Sequence, residues 1–194
     1  MNTQADPVVI VSMARTPLGA FQGELSSLSA PQLGAVALQA ALARSGLAPD
    51  AVDEVLMGCV LTAGQGQAPA RQAALLAGLS QATPCTTISK VCGSGMKALM
   101  LAHDQLLAGS AQVVLAGGME SMSQAPYLLP KARGGQRLGH GQMLDHLFLD
   151  GLEDAYSPAD RGRLMGTFAE DCASDLAIGR AQQDAWAVAS TERA

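Results

Sequence analysis

The residues with the most chemical content lie together at Ser89–Leu99, SKVCGSGMKAL. They set one cysteine, Cys92, between an extended-looking run and a helical one, with Gly93 and Gly95 close behind it. A side chain at a strand-to-helix junction sits at the helix N-terminus. There, unpaired backbone N–H groups and the positive end of the helix dipole stabilise negative charge on sulfur. Lys90 and Lys97 add positive charge nearby in sequence. Glycines at 93 and 95 permit a sharp turn and close approach by a substrate. The pattern copies the nucleophile elbow of hydrolases with sulfur in place of oxygen, a thiol aimed at a carbonyl carbon. The competing reading is a small, buried, unreactive cysteine. From the residues alone both stand.

Other chemistries fail on spacing. A serine-hydrolase elbow at Ser94 requires glycines two residues before and two after, and those positions hold Cys92 and Met96. A phosphatase-type cysteine loop requires an arginine about six residues on, where Ala98 stands. The GK[ST] of a phosphate-binding loop is absent. Cys59 and Cys85 fall at or inside expected strands and Cys172 inside a helix, so each is expected to be packed. No CxxC pair occurs, and His103, His140 and His146 show no zinc-ligand spacing with the cysteines, so neither a metal nor a bound cofactor is expected. A cysteine nucleophile ordinarily needs a base. His103 lies roughly 16 Å further along the helix that Cys92 precedes, and His140 and His146 fall in irregular sequence, so none is assigned that role.

The elements that must position Cys92 follow from composition and periodicity. The chain has 194 residues, 48% apolar and 15% charged, with 21 glycines and few aromatics, which suits close packing of helices on a sheet. A net charge of −5 argues against a nucleic-acid partner. No apolar run approaches the roughly 18 residues of a membrane span, and the N-terminus carries no signal-peptide pattern, so a cytoplasmic location is expected. Val8–Met13 is β-branched at its first four positions and reads as a buried strand. Ser29-Ala-Pro-Gln32 reads as a capping box, with Pro31 in the first turn of a helix that stops at Gly46. Then come a strand over Val52–Leu61, a helix over 68–77, a strand over Cys85–Val91, a helix over 93–108 and a strand over Val113–Ala116. This βαβαβαβ order predicts an α/β fold: a mostly parallel sheet with helices on both faces.

After residue 122 the character changes. Residues 123–163 are rich in Pro, Gly and Arg and read as an excursion from the sheet. Thr167–Glu170 reads as a second capping box, and Ala181–Arg193 as a last helix with Trp186 on its apolar face. Two domains are therefore expected, 1–122 and 123–194.

Several of these stretches resemble the thiolases, in particular the acetyl-CoA acetyltransferase type. They are VCGSGMKAL at 91–99, VVLAGGMESMSQAPYLL at 113–129 and RGGQRLG at 133–139. VSMARTPLGAF at 11–21, GQGQAPARQAAL at 64–75, MGTFAED at 165–171 and QQDAWAVAS at 182–190 extend the likeness along the chain. The resemblance implies a thiolase-like fold: residues 1–122 as an incomplete first α/β half and 123–194 as the start of an inserted loop domain. It implies acetyl transfer between coenzyme A thioesters through an acyl-Cys92 intermediate, with the Cys92 N–H in the oxyanion hole. Leu152 and Met165 match positions lining the pantetheine and acyl pocket. The RGGQRLG segment matches a tetramer-contact region, which implies a homo-oligomer, tetramer or dimer, when the protein is complete. The second half of a thiolase supplies a GHP histidine and a CxGG cysteine, and neither motif occurs in these 194 residues. The chain is accordingly expected to be the first part of a longer enzyme, or else a non-catalytic remnant or partner subunit, with a ketoacyl-synthase-like condensing enzyme a further alternative. It departs from the pattern at Ser89, where many relatives have asparagine, and at Leu164, where many short-chain members have histidine. Residues 156–163 also look longer than usual.

Overall fold

The computed structural model describes residues 8–193. Its first helix begins where the capping box places it. Ser29 Oγ accepts from the Gln32 N–H (3.4 Å), and Gln32 Oε1 accepts from the Ser29 N–H (2.8 Å). Two donors that the helix cannot satisfy internally are thereby paired. Helix α1 runs Ala30–Ser45 and ends on Gly46 at φ 72°, a left-handed cap that suits glycine. Strand β1 (Glu54–Gly58), helix α2 (Pro69–Leu76), strand β2 (Cys85–Ile88), helix α3 (Ser94–Ala108) and strand β3 (Val114–Gly118) follow.

The three strands form a parallel sheet in the order β2-β1-β3, with Val55 beside Cys85 and Leu115, and Gly58 beside Ile88 and Gly118. The central strand is buried on both faces, and its alternation sorts the core. Val55 and Met57 join Leu38 and Leu42 of α1 and Ala70, Ala73 and Ala74 of α2. Leu56 points the other way, onto Ala98 and Ala102 of α3. Helices therefore cover both faces, as the α/β reading expects. Alanines at these contacts let the helices lie close, which is where the scarcity of aromatics finds its use.

The expected strand at Val8–Met13 does not form. The run is extended, but no strand pairs with it among the described residues, and Ile10 and Met13 are 82% and 83% exposed. It is held to α1 by two side chains instead. Ser12 Oγ donates to the Ala41 carbonyl, and Arg44 donates to the Met13 carbonyl, both at 2.7 Å. β-branched composition favours a pleated surface, but a strand exists only through a partner's ladder of N–H and C=O groups. The observed order is thus αβαβαβ. Strands β1 and β2 are shorter than expected for local reasons: beyond Gly58 the chain bends to meet Glu120, and beyond Ile88 it turns into α3, whereas β3 continues past Ala116 to Gly118.

Residues 123–147 stay with the first α/β part. The Gln22 N–H donates to Ser123 Oγ (2.8 Å), and Ser121 Oγ donates to the Leu28 carbonyl (2.7 Å). Strands β4 (Tyr127–Leu128) and β5 (Leu144–Asp145) pair antiparallel. The buried His146 accepts from the Ala63 N–H at Nε2 (3.3 Å). For this reason the described chain divides into compact units between Leu147 and Phe148, later than the change of composition at 122 suggests.

The second unit holds a wide turn at Phe148–Leu152, helix α4 (Met165–Asp175) and helix α5 (Arg180–Arg193). The expected capping box at Thr167–Glu170 is not there. Helix α4 starts earlier, with Leu164 at the cap, and Thr167 Oγ donates back to the Leu164 carbonyl (2.7 Å). The work of fixing this turn falls to Arg163, which pairs with Asp160 and Asp171 and lies over the Phe168 ring, 4.4 Å from its centroid. Cys172 is exposed on α4 instead of packed, and Trp186 is exposed on α5. Among the described residues no helix is long and apolar enough to cross a membrane.

Candidate functional site

At the end of β2 the chain reverses into α3 within five residues, and Cys92 sits on that bend. Val91 takes φ 46°. That region is disfavoured for any residue with a Cβ, and most strongly for a β-branched one. The turn is closed by N–H donation from Gly93 to the Lys90 carbonyl and from Ser94 to the Val91 carbonyl, both 3.1 Å. Ser94 Oγ adds two further bonds, accepting from the Lys90 N–H (2.8 Å) and donating to the Val91 carbonyl (2.6 Å). Gly93 caps the helix, and its carbonyl accepts the Lys97 N–H at 2.9 Å. Cys92 thus stands one residue before the cap, exposed, beside the first N–H groups of α3.

The helix N-terminus is seated by glycines that sequence reasoning did not single out. A Cβ on Gly58 would lie 2.5 Å from Gly95 N and from Ser94 C, and one on Gly118 would lie 3.2 Å from Gly95 Cα. The ends of β1 and β3 therefore touch α3 backbone to backbone. The signals were the glycines in MGC and AGGM, but nothing in the sequence says that the two ends meet one helix.

The four cysteines divide by environment. Cys59 is buried just past β1, with Glu120 Oε1 at 3.5 Å. Burial, and then the Glu120 charge, push its thiol up to about 12. Glu120 is itself fixed by the backbone, accepting the Val60 N–H at 2.8 Å and the Leu61 N–H at 3.3 Å. Cys85 is half-buried on β2, and burial raises it as well, against the opposing charge of Arg71. Cys172 is exposed, but it lies well inside α4, away from the free N–H groups of that helix. Only Cys92 combines exposure with a helix start. Among the described residues no side chain hydrogen-bonds to its sulfur. His103 lies beside Asp104 (3.4 Å), His140 is exposed in an irregular stretch, and the Nε2 of His146 is occupied by Ala63. Ser89 lines a cavity of about 440 Å³ together with Cys59 and Thr87.

Leu152 and Met165 belong to the second unit. Leu152 ends the Phe148 turn, half-buried, and Met165 is the first residue of α4. An antiparallel bridge between Glu153 and Leu164 brings the segments carrying these two residues side by side. The Asp154 N–H donates to the Arg163 carbonyl at 2.8 Å and continues that pairing.

Residues 8–194 match the thiolase N-terminal domain. An acetyl-CoA acetyltransferase of Cupriavidus necator is 51% identical over 187 residues, covering 96% of this chain and 47% of that protein. Acetyl-CoA acetyltransferase 1 of Arabidopsis thaliana is 52% identical over 192 residues, 99% of this chain and 45% of its own length. An acetyl-CoA acetyltransferase of Schizosaccharomyces pombe is 50% identical over all 194 residues, 47% of its length. The chain spans about half the length of the curated relatives it matches.

Proposed function

We propose that this chain, which belongs to the thiolase family, carries the acetyl group in acyl transfer between coenzyme A thioesters, with Cys92 as the acyl carrier. The observation that carries the reading is the placement of an exposed thiol on the bend into α3, in a chain about half identical to named acetyl-CoA acetyltransferases. In the first step the Cys92 sulfur attacks the thioester carbonyl. A new S–C bond forms, coenzyme A leaves as its thiol with the proton that Cys92 gave up, and the acetyl group remains on sulfur. The oxygen of the tetrahedral intermediate gains charge, and the Cys92 N–H is one donor toward it. In the second step the Cys92 S–C bond breaks and the acetyl group passes to the α-carbon of an acceptor thioester, which gives up an α-proton, or back to the thiol of coenzyme A, which gives up its S–H proton; in either case the proton returns to the Cys92 sulfur.

The proton of Cys92 needs a base. In this reading it comes from sequence beyond the 194 residues, in the part of the relatives' length that this chain does not span. Leu152 and Met165 contribute to the pocket for the pantetheine arm and acyl chain. The working location is the cytoplasm. The complete protein is a homo-oligomer whose contacts include the 130–142 stretch. Incubation with acetyl-CoA followed by peptide mass mapping tests the carrier role. One acetyl group on the Cys92 peptide, absent in Cys92→Ala, is expected; acetylation confined to another cysteine rejects it.

A second reading has one observation in its favour: among the described residues no side chain hydrogen-bonds to the exposed Cys92 sulfur. A thiolase-like chain without catalysis, acting as a partner subunit, would look like this. Steady thiolysis of acetoacetyl-CoA by the complete protein, lost in Cys92→Ala, excludes it.

A further inference from the structure

We infer that Ser94 is a positioning residue for the nucleophile: its buried hydroxyl holds Val91 in the left-handed region and thereby keeps Cys92 at the start of α3. The inference rests on the reading of Cys92 as the acyl carrier.

Ser94 is 4% exposed, and both functions of its hydroxyl are committed. The oxygen accepts from the Lys90 N–H (2.8 Å), and the proton goes to the Val91 carbonyl (2.6 Å). A hydroxyl has one proton to donate, so Ser94 has none for a substrate. These two bonds grip the peptide groups on either side of the Lys90–Val91 step. Val91 is where the backbone is least comfortable, a β-branched residue at φ 46°. Backbone held in such a region persists only when its surroundings over-determine it. The surroundings are identifiable here. The Ser94 N–H to Val91 carbonyl bond (3.1 Å) closes the turn, and the hydroxyl doubles it from the same residue.

Ser94 is in turn fixed from below. The absence of a side chain at Gly58 lets Ser94 and Gly95 rest on the end of β1, where an added Cβ would meet Ser94 Cβ at 2.8 Å. The chain of support therefore runs from the sheet through Gly58 to Ser94, from Ser94 to Val91, and from Val91 to Cys92. Released from its clamp, Val91 would relax toward negative φ and carry the neighbouring Cys92 with it. The serine of CGSG is then a strut for the cysteine, which gives it a use although its spacing rules it out as a nucleophile.

The test measures alkylation of Cys92 by iodoacetamide in the purified chain, by peptide mapping over time, with circular dichroism as the check on folding. Ser94→Ala is expected to slow alkylation at Cys92 roughly fivefold, the upper range for an exposed anion moved away from a helix N-terminus, while Cys172 reacts at its usual rate. Glycine adopts positive φ without strain, so Val91→Gly combined with Ser94→Ala is expected to return most of that rate. A merely structural serine would not be rescued by a change at 91. An unchanged rate in folded Ser94→Ala overturns the inference, and so does a double variant as slow as Ser94→Ala. If Ser94→Ala does not fold, the double variant decides alone: folded with a near-normal rate it supports the clamp, and unfolded or slow it overturns it. Alkylation needs no acyl transfer. Failure of acetyl-CoA to label Cys92 would therefore reject the carrier role and leave this result standing.

Discussion

Cys59 and Cys92 lie just beyond the C-terminal ends of neighbouring parallel strands, yet their surroundings are opposite. After β1 the chain does not enter a helix. It loops through Val60 and Leu61, whose N–H groups take the Glu120 carboxylate, and Cys59 is left buried against a negative charge with its thiol pushed up to about 12. After β2 the chain turns at once into α3, leaving Cys92 exposed at the end where backbone N–H groups are free. The two residues are chemically identical and stand on one sheet. What separates them is the element that follows each strand and the charge it brings near sulfur.

The sharpest way to break the contrast is to unseat α3. Gly58→Ala would force a Cβ to within 2.5 Å of α3 backbone, which has no flexible atom to yield. A loss of about 3 kcal/mol is expected, the upper end for overpacking, read from urea denaturation, together with slower alkylation at Cys92. A stability within about 0.5 kcal/mol of the parent would mean that the backbone approach is not tight.

Removing the charge beside Cys59 is the next step down. Glu120→Gln keeps the shape but weakens the bonds from Val60 and Leu61. A cost of about 2 kcal/mol is expected, since hydrogen bonds to a charged acceptor are worth more than neutral ones. The same change takes away one cause of the raised thiol at Cys59, so that thiol should titrate lower than in the parent, while burial still holds it above its ordinary value of 9.0. Thiolate absorbance followed by pH in a chain retaining only Cys59 checks this, and an unmoved titration would assign the whole shift to burial.

Linkage gives a third test. The folded state holds the Cys59 proton more tightly than the unfolded chain does, so between 9.0 and about 12 the native state binds more protons. Stability then falls as pH rises through that window, and the contribution is complete below it. Cys85 is raised too and adds to the same slope. Urea midpoints should drop above pH 9.0 in the parent and drop less in Cys59→Ala; equal slopes would contradict the assignment. Smallest of the four is Ser29→Ala, remote from both thiols, expected to cost about 1 kcal/mol through loss of the α1 cap and to leave alkylation of Cys92 alone. A changed rate there would show that the elbow is less local than drawn.

How far these features were legible depends on the range of their causes. The capping box at Ser29, the stop at Gly46, the sequence of strands and helices from residue 52 to 118 and the bend at Cys92 are set by neighbours in the chain, and all were readable. The run Val8–Met13 departs from its reading as a strand because β propensity is visible in the sequence, whereas the lack of a pairing strand among the described residues is not. Glu120 was missed because its donors lie about sixty residues away in sequence. Gly58 was missed for the same reason, its contact being a helix that starts at Ser94. Thr167 was misplaced because α4 starts at Met165, one turn before a threonine cap would allow.

The placement of the reactive sulfur at the start of α3 sets the rank order of the four thiols. Timed iodoacetamide labelling of the folded chain, with each cysteine peptide quantified, reads it directly. Cys92 should label first, exposed Cys172 more slowly, half-buried Cys85 more slowly again, and buried Cys59 only as the chain unfolds. Faster labelling of Cys172 or Cys59 than of Cys92 in the folded protein would contradict the placement of the reactive sulfur at the start of α3.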